Sequence, residues 1–258
     1  MLMAYVLEKH YQLPRSALLS RDDMSLHSEA LAHWKELETR RLNGEPVAYL
    51  VGKRGFHNIE LYVAPGVLIP RPETELLVEI GLQEIKRLGK SASVLDLGTG
   101  SGAIALAIAH ESPHALVTAT DQSIEAIEIA KHNAQQLNVV PRVVFLKGDW
   151  YKALEEHYSF DIILSNPPYI AAHDPHLSLG DLRFEPASAL TDNGSGLTCL
   201  ETIISGAMQH LKPNGLLAVE HGFDQSEVVV DLMKSAGLRD LQTHLDLAGH
   251  RRVVSGRK

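Results

Sequence analysis

The run Ser93-Val94-Leu95-Asp96-Leu97-Gly98-Thr99-Gly100-Ser101-Gly102-Ala103 decides the fold. Its first five residues read as a buried strand, and an apolar helix follows from Gly102 to His110. Glycines at a strand-to-helix turn let the backbone approach a ligand with no Cβ in the way. The start of such a helix offers free N–H groups to an anion. Gly98, Gly100 and Ala103 fit the dinucleotide pattern with alanine in the last position. Outward from this turn the alternation continues. Strands are expected over Leu116–Thr120, Val143–Leu146, Phe160–Leu164 and Gly215–Val219. Helices are expected over Ser123–Leu137, Leu197–Leu211 and Gln225–Ala236, and Leu238–Asp246 with Arg251–Ser255 closes the chain as a strand pair. Apolar strands alternating with amphipathic helices imply an α/β fold with a mostly parallel sheet covered on both faces.

The segment before the sheet reads differently. Leu26, Ala30, Trp34 and Leu37 recur at helical spacing up to the stop at Asn43-Gly44. An earlier helix is expected over Leu2–Leu13, ending at Pro14. From Val47 to Val63 the pattern is extended, with a hairpin turning at His57-Asn58. Ala64-Pro65-Gly66 and Ile69-Pro70-Arg71-Pro72 mark a loop, and Pro72-Glu73-Thr74-Glu75 opens a helix whose acidic residues suit its positive end. The expected division is a helical segment over 1–45, a β-hairpin linker over 46–72 and the α/β unit over 73–258.

Three strand ends point to a cofactor. The glycine turn is the first. Asp121 ends the next strand and can accept hydrogen bonds from both hydroxyls of a ribose. Asp149 could meet an adenine amino group while Trp150 covers the ring, or the pair is a capping aspartate beside a core tryptophan. NAD and S-adenosylmethionine both fit these features.

Ser165-Asn166-Pro167-Pro168-Tyr169 follows the strand Phe160–Leu164 at the carboxyl edge of the sheet, and it separates the two. Asn-Pro-Pro-Tyr resembles the motif of methyltransferases that modify a planar nitrogen conjugated to a π system. Such a nitrogen has a delocalised lone pair and is a poor nucleophile, so its N–H groups must be bound and its lone pair aimed. The Asn166 side-chain oxygen can accept one N–H, the Pro167 carbonyl the other, and Tyr169 can pack over the acceptor. A methyl sulfonium is already electrophilic, so positioning supplies much of the rate and no histidine or cysteine base is needed.

The similarity extends along the chain. Gly44-Glu45-Pro46-Val47-Ala48-Tyr49-Leu50 with Gly52, Phe56, Val67 through Glu75, Asn166 through Tyr169, and Glu185-Pro186 with Ala189-Leu190 resemble the peptide chain release factor glutamine methyltransferases, the HemK/PrmC family. The resemblance implies a Rossmann-like S-adenosylmethionine-dependent methyltransferase with a seven-stranded, mostly parallel sheet, a small helical N-terminal domain and a β-hairpin linker. It implies methylation of the glutamine side-chain amide in the Gly-Gly-Gln motif of bacterial class 1 release factors, with S-adenosylhomocysteine as product. By motif match, Gly98, Thr99, Gly100, Ser101, Gly102, Asp121, Asp149, Trp150 and Asn166 would bind the cofactor. Asn166, Pro167, Pro168 and Tyr169 would hold the glutamine, with Phe56 and Arg71 in matching segments. Members of that family carry about twenty further residues ahead of Leu2, enough for another helix, so the helical domain is expected to be short.

Charge weighs on the alternative. Asn-Pro-Pro-Tyr alone also permits a nucleic-acid base methyltransferase acting on adenine or guanine amino groups, which would need a basic track along a backbone. The chain has 24 Lys+Arg against 32 Asp+Glu in 258 residues, a formal charge of -8, and its basic clusters are short. No stable nucleic-acid partner is expected. The single cysteine, Cys199, excludes an intrachain disulfide and fits a reducing compartment. The histidine spacing matches no metal motif, no apolar run approaches a membrane span, and Met1–His10 does not read as a signal peptide. The expectation is a cytoplasmic, soluble enzyme without a metal.

Overall fold

The computed structural model describes residues 1–21 and 23–258. Its centre is a seven-stranded sheet with order β5-β4-β3-β6-β7-β9-β8. In chain order the strands are β3 (Ala92–Leu97), β4 (Ala115–Asp121), β5 (Val143–Lys147), β6 (Phe160–Ser165), β7 (Leu211–Glu220), β8 (Arg239–Leu245) and β9 (Arg251–Arg257). β3 through β7 pair in parallel, and β9 joins antiparallel to both β7 and β8. β3 and β6 are buried along nearly their whole length, as strands covered on both faces must be. The helices covering them are α5 (Glu75–Leu88), α6 (Ala103–Glu111), α7 (Ile124–Gln136), α8 (Thr198–His210) and α9 (Ser226–Ser235). α6 is apolar all round and every residue from Ala103 to Ala109 is buried, which places it in the core beneath the hairpin rather than on the surface.

The chain leaves β3 toward β4 and β5 on one side, then returns to place β6 and β7 on the other. The carboxyl ends of β3, β4 and β6 therefore border the crevice at a topological switch point, where ligands of open α/β sheets bind.

Ahead of the sheet lie α1 (Leu2–Tyr11), α2 (Ala17–Ser20), α3 (Ser28–Leu42) and α4 (Val47–Val51), then the hairpin of β1 (Lys53–Phe56) and β2 (Ile59–Tyr62). Two expectations need correction. α1 stops at Tyr11, before Pro14, because Gln12 turns left-handed (φ 55°) and the N–H groups of Gln12 and Leu13 close back on Glu8 and Leu7. Val47–Val51 is helical rather than extended. It is held between Pro46, whose carbonyl accepts from the N–H groups of Tyr49 and Leu50, and Gly52 at φ +69°. Its Leu50 joins Leu2, Val6, Ala30 and Leu37 in a separate small core, so α4 packs with the N-terminal helices. Tertiary packing here overrides the strand preference of a segment with two valines and a tyrosine, Val47-Ala48-Tyr49-Leu50-Val51. Among the described residues no helix is long and apolar enough to cross a membrane.

Candidate active site

The glycine turn is held by its own hydrogen bonds. The N–H groups of Gly98 and Thr99 both donate to the Thr120 carbonyl at 2.9 Å, Gly102 N–H donates to Thr99 O at 2.9 Å, and Gly100 N–H donates to Asp121 Oδ2 at 2.9 Å. Asp96, wholly buried, accepts the Thr99 hydroxyl (2.6 Å) and the Ala105 N–H in the first turn of α6 (3.2 Å) on one carboxyl oxygen. Burial, with Asp121 nearby, pushes its pKa up to about 7. A carboxyl group thus braces the helix start, and the N–H groups of Gly98, Thr99, Gly100 and Gly102 are engaged within the fold. The first N–H groups of α6 stay available to a ligand, as at any helix start.

A cavity of about 300 Å³ opens beside this turn, within the range of small-molecule sites. Gly98 and Gly100 line it, while Thr99 and Ser101 are buried and shape the turn from behind. A Cβ on Gly98 (φ +74°) would lie 3.2 Å from Trp150 Cζ3, so the bare glycine is what lets the indole lie against the turn. Gly102 (φ +88°) has no room either, since its Cβ would meet Leu106 at 2.7 Å. Asp121 lines the cavity too. Its oxygens accept from Gly100 and Ser123 N–H groups, leaving further lone pairs for a ligand, and burial raises its pKa. Asp149 and Trp150 form part of the wall. Asp149 makes no side-chain cap, pairing instead with Lys152 at 2.7 Å, which argues against a capping role. The two glycines, Asp121, Asp149 and Trp150 thus come together around one cavity.

A second cavity of about 70 Å³ adjoins the first. Arg71, Pro167, Tyr169 and Leu190 line it, and Asn166, Leu68 and Ala189 line both. Asn166 therefore stands where the two spaces meet. Its Nδ2 donates to Thr74 Oγ1 at 2.9 Å, which leaves Oδ1 as the side chain's acceptor. The Tyr169 hydroxyl donates to Glu220 Oε1 at 3.1 Å, and its pKa is raised by burial and by Glu220. Its backbone is clamped from behind. Gln225 Nε2 donates to Tyr169 O at 3.0 Å, and Gly196 (φ +82°) approaches so closely that a Cβ there would sit 2.4 Å from the same oxygen.

Arg71 spans the small cavity's wall to Glu185, whose side chain is fully buried and also accepts from Ile69 N–H at 2.9 Å. Pro186, Ser188 and Ala189 continue that wall into the larger cavity. The loop is tied outward as well, by Arg183 to the Asn43 carbonyl and Arg41 to Asp181. Phe56 requires a correction. It is 1% exposed in the main core with Ile59, Leu61 and Leu77, and it lines neither cavity. Cys199 lines the larger cavity with its thiol pushed up to about 11 by burial, a state unsuited to a nucleophile. Leu68, Thr74 and Ala189 are among the contributors that sequence motifs did not single out for the site's walls and supports.

The sheet order, the crevice and the paired cavities define a methyltransferase fold. Residues 72–226 match the Methyltransferase small domain family and residues 2–52 the PrmC N-terminal domain family. Among solved structures, the chain resembles a methyltransferase from Pyrococcus furiosus (TM-score 0.58, 19% identity, 87% of this chain and 98% of that one). It also resembles a Thermus thermophilus 16S rRNA N2 methyltransferase in complex with AdoMet and guanosine (TM-score 0.56, 22% identity, 80% of this chain and 49% of that one). Sequence relatives are nearer. The release factor glutamine methyltransferase of Burkholderia pseudomallei is 48% identical over 94% of this chain and 86% of its own length. That of Bordetella pertussis is 49% identical over 94% of this chain and 88% of its own. The chain belongs to the release factor glutamine methyltransferase family.

Proposed function

We propose that the protein transfers a methyl group from S-adenosylmethionine to the side-chain amide nitrogen of the glutamine in the Gly-Gly-Gln motif of class 1 peptide chain release factors. The observation that carries this reading is Asn166 at the junction of an adenosyl-sized cavity and a side-chain-sized one. Gly98, Gly100, Asp121, Asp149 and Trp150 would hold the cofactor, with Thr99, Ser101 and Gly102 fixing the turn. The cofactor supplies an electrophilic methyl group. Asn166 Oδ1 and the Pro167 carbonyl accept the two N–H bonds of the glutamine amide, which turns the nitrogen toward the larger cavity. Pro168 and Tyr169 keep that strand end rigid and apolar. Held so, the nitrogen's lone pair would form the new N–C bond as the cofactor's S–CH3 bond breaks, S-adenosylhomocysteine would leave, and the nitrogen would release a proton to solvent. The protein works in the cytoplasm, where release factors act.

The N-terminal helices, ending at Val51 rather than near residue 45, form the unit that docks the release factor beyond its glutamine loop. The assay is incubation with labelled S-adenosylmethionine and unmodified release factor, followed by peptide mass spectrometry. Label on the Gly-Gly-Gln glutamine is expected. Label on RNA or DNA, and none on release factor, would overturn the reading in favour of a base methyltransferase.

A further inference from the structure

Behind the acceptor cavity lies a line of buried polar groups that the proposed reaction does not itself use. Glu220, at the end of β7, is 1% exposed. Its Oε1 accepts the Tyr169 hydroxyl, and its Oε2 has no hydrogen-bond partner among the described residues. Thr74, at the start of α5 and also buried, faces this carboxylate and favours its charged form. Thr74 Oγ1 accepts from Asn166 Nδ2. A hydroxyl that accepts in one direction must turn its proton in another, and here a buried carboxylate lies beside it.

We infer that Glu220 and Thr74 are positioning residues that set the polarity of Asn166, so that its carbonyl oxygen rather than its amino group faces the acceptor amide. An ionised carboxylate can only accept. Its unpartnered Oε2 draws the Thr74 hydroxyl proton, Thr74 keeps its lone pair for Asn166 Nδ2, and with Nδ2 held there the carboxamide turns Oδ1 to the acceptor side. If Glu220 becomes protonated or is replaced by an amide, it can donate to Thr74 instead. The line then runs in reverse, Thr74 donates to the Asn166 side chain, and the flipped carboxamide presents N–H groups to the N–H groups of the substrate. Glu220 acts on the tyrosine too, fixing the ring that walls the acceptor cavity.

The titration of Glu220 follows from what faces it. Burial, with a smaller push from Glu73, outweighs Thr74, Tyr169 and Arg252 from β9 and brings its pKa up to about 7. His221 beside it is driven toward its neutral form by burial. The ionised form is the working one, so activity is lost as pH falls through that range.

This inference rests on the proposed role of Asn166, and its test has an arm that needs no turnover. Turnover is measured at saturating cofactor with release factor as substrate. Thr74→Val is expected to lower kcat about 10–100-fold, the scale seen when the partner orienting a ligand is removed, with cofactor affinity unchanged, while Thr74→Ser stays near wild type. Glu220→Gln is expected to lower kcat and to abolish the acid limb of the wild-type kcat profile. In parallel, the Asn166 side-chain NH₂ signal is followed by NMR, assigned by its loss in Asn166→Ala. It should move with pH along the same limb in wild type, shift in Thr74→Val, and be pH-independent in Glu220→Gln. Wild-type kcat in Thr74→Val, survival of the acid limb in Glu220→Gln, or an NH₂ signal indifferent to pH and to Thr74→Val would each overturn the inference. If Glu220→Gln does not fold, Thr74→Val and the wild-type titration still decide it. Absence of methylation by wild type would instead sink the proposed function, and the NMR arm would still report on the polar line.

Discussion

Asn166→Ala separates catalysis from folding at one position. In the folded protein the substitution removes the acceptor at the junction of the two cavities. One positioned polar group facing the reacting atoms in a water-poor site carries about 2.7–4 kcal/mol, or 100- to 1000-fold in kcat. The cost to the fold is smaller. Thr74 Oγ1 loses one donor to its lone pair, so about 1 kcal/mol is lost. For a chain of this size that lowers Tm by about 2–4 °C. Cofactor affinity should change little, since the adenosyl contacts proposed above lie on the glycine turn, Asp121 and Trp150. The assay is methyl transfer to release factor at saturating cofactor, with S-adenosylhomocysteine titrated calorimetrically and thermal melting on the same samples. A variant with wild-type kcat refutes the role given to Asn166. So does one that loses activity only because cofactor no longer binds.

Four further outcomes follow. Gly98→Ala forces a Cβ into a left-handed position, costing about 1–2 kcal/mol, and presses on Trp150; it should weaken S-adenosylhomocysteine binding at least tenfold by calorimetry. Phe56→Ala should destabilise by about 3–5 kcal/mol in urea denaturation while leaving KM for both substrates unchanged where the variant is folded, because Phe56 is core. Asp96 holds its proton up to about pH 7 when folded but loses it near pH 4 when unfolded, so its burial costs stability progressively as pH rises between those values. Asp96→Asn removes that dependence, and the variant's stability relative to wild type should rise by about 3 kcal/mol from pH 5 to pH 8; a parallel pair of pH curves would refute it. S-adenosylhomocysteine at about 100 times its Kd adds about 2.7 kcal/mol, raising Tm by about 5–10 °C, whereas NAD at the same concentration should leave Tm unchanged.

The parts of this molecule that were legible in sequence are those whose signal is local. The glycine turn, the strand before it and the Asn-Pro-Pro-Tyr segment carry their conformation in consecutive residues, and they lie where the pattern puts them. The strand order is not local, yet the parallel alternation restricts it strongly. Val47–Val51 misled because valine and tyrosine suit strands, while the cause of its helix is the packing of Leu50 on residues from α1 and α3. Phe56 misled for another reason. It lies in a segment shared with a family, and a segment can be shared because a core needs it as readily as because a substrate does. Thr74 and Glu220 were beyond reach as a pair. Asn166 and Thr74 are 92 residues apart, Tyr169 and Glu220 51, and nothing in either local sequence announces the bond.

The glycine turn shows most clearly what structure adds. Gly98, Gly100 and Ala103 satisfy a dinucleotide pattern, and an acidic residue ends the next strand, so the turn alone admits both cofactors. Membership of the release factor glutamine methyltransferase family decides between them. The structure adds how the turn is held. Gly98 and Thr99 donate to Thr120, Gly100 to Asp121, Gly102 to Thr99, and Ala105 to Asp96. Two acids, the buried Asp96 and the half-buried Asp121, tie the turn together from within. Glycine spacing fixes how closely a ligand can approach, and the hydrogen-bond partners of those same residues fix the shape of the turn that it meets.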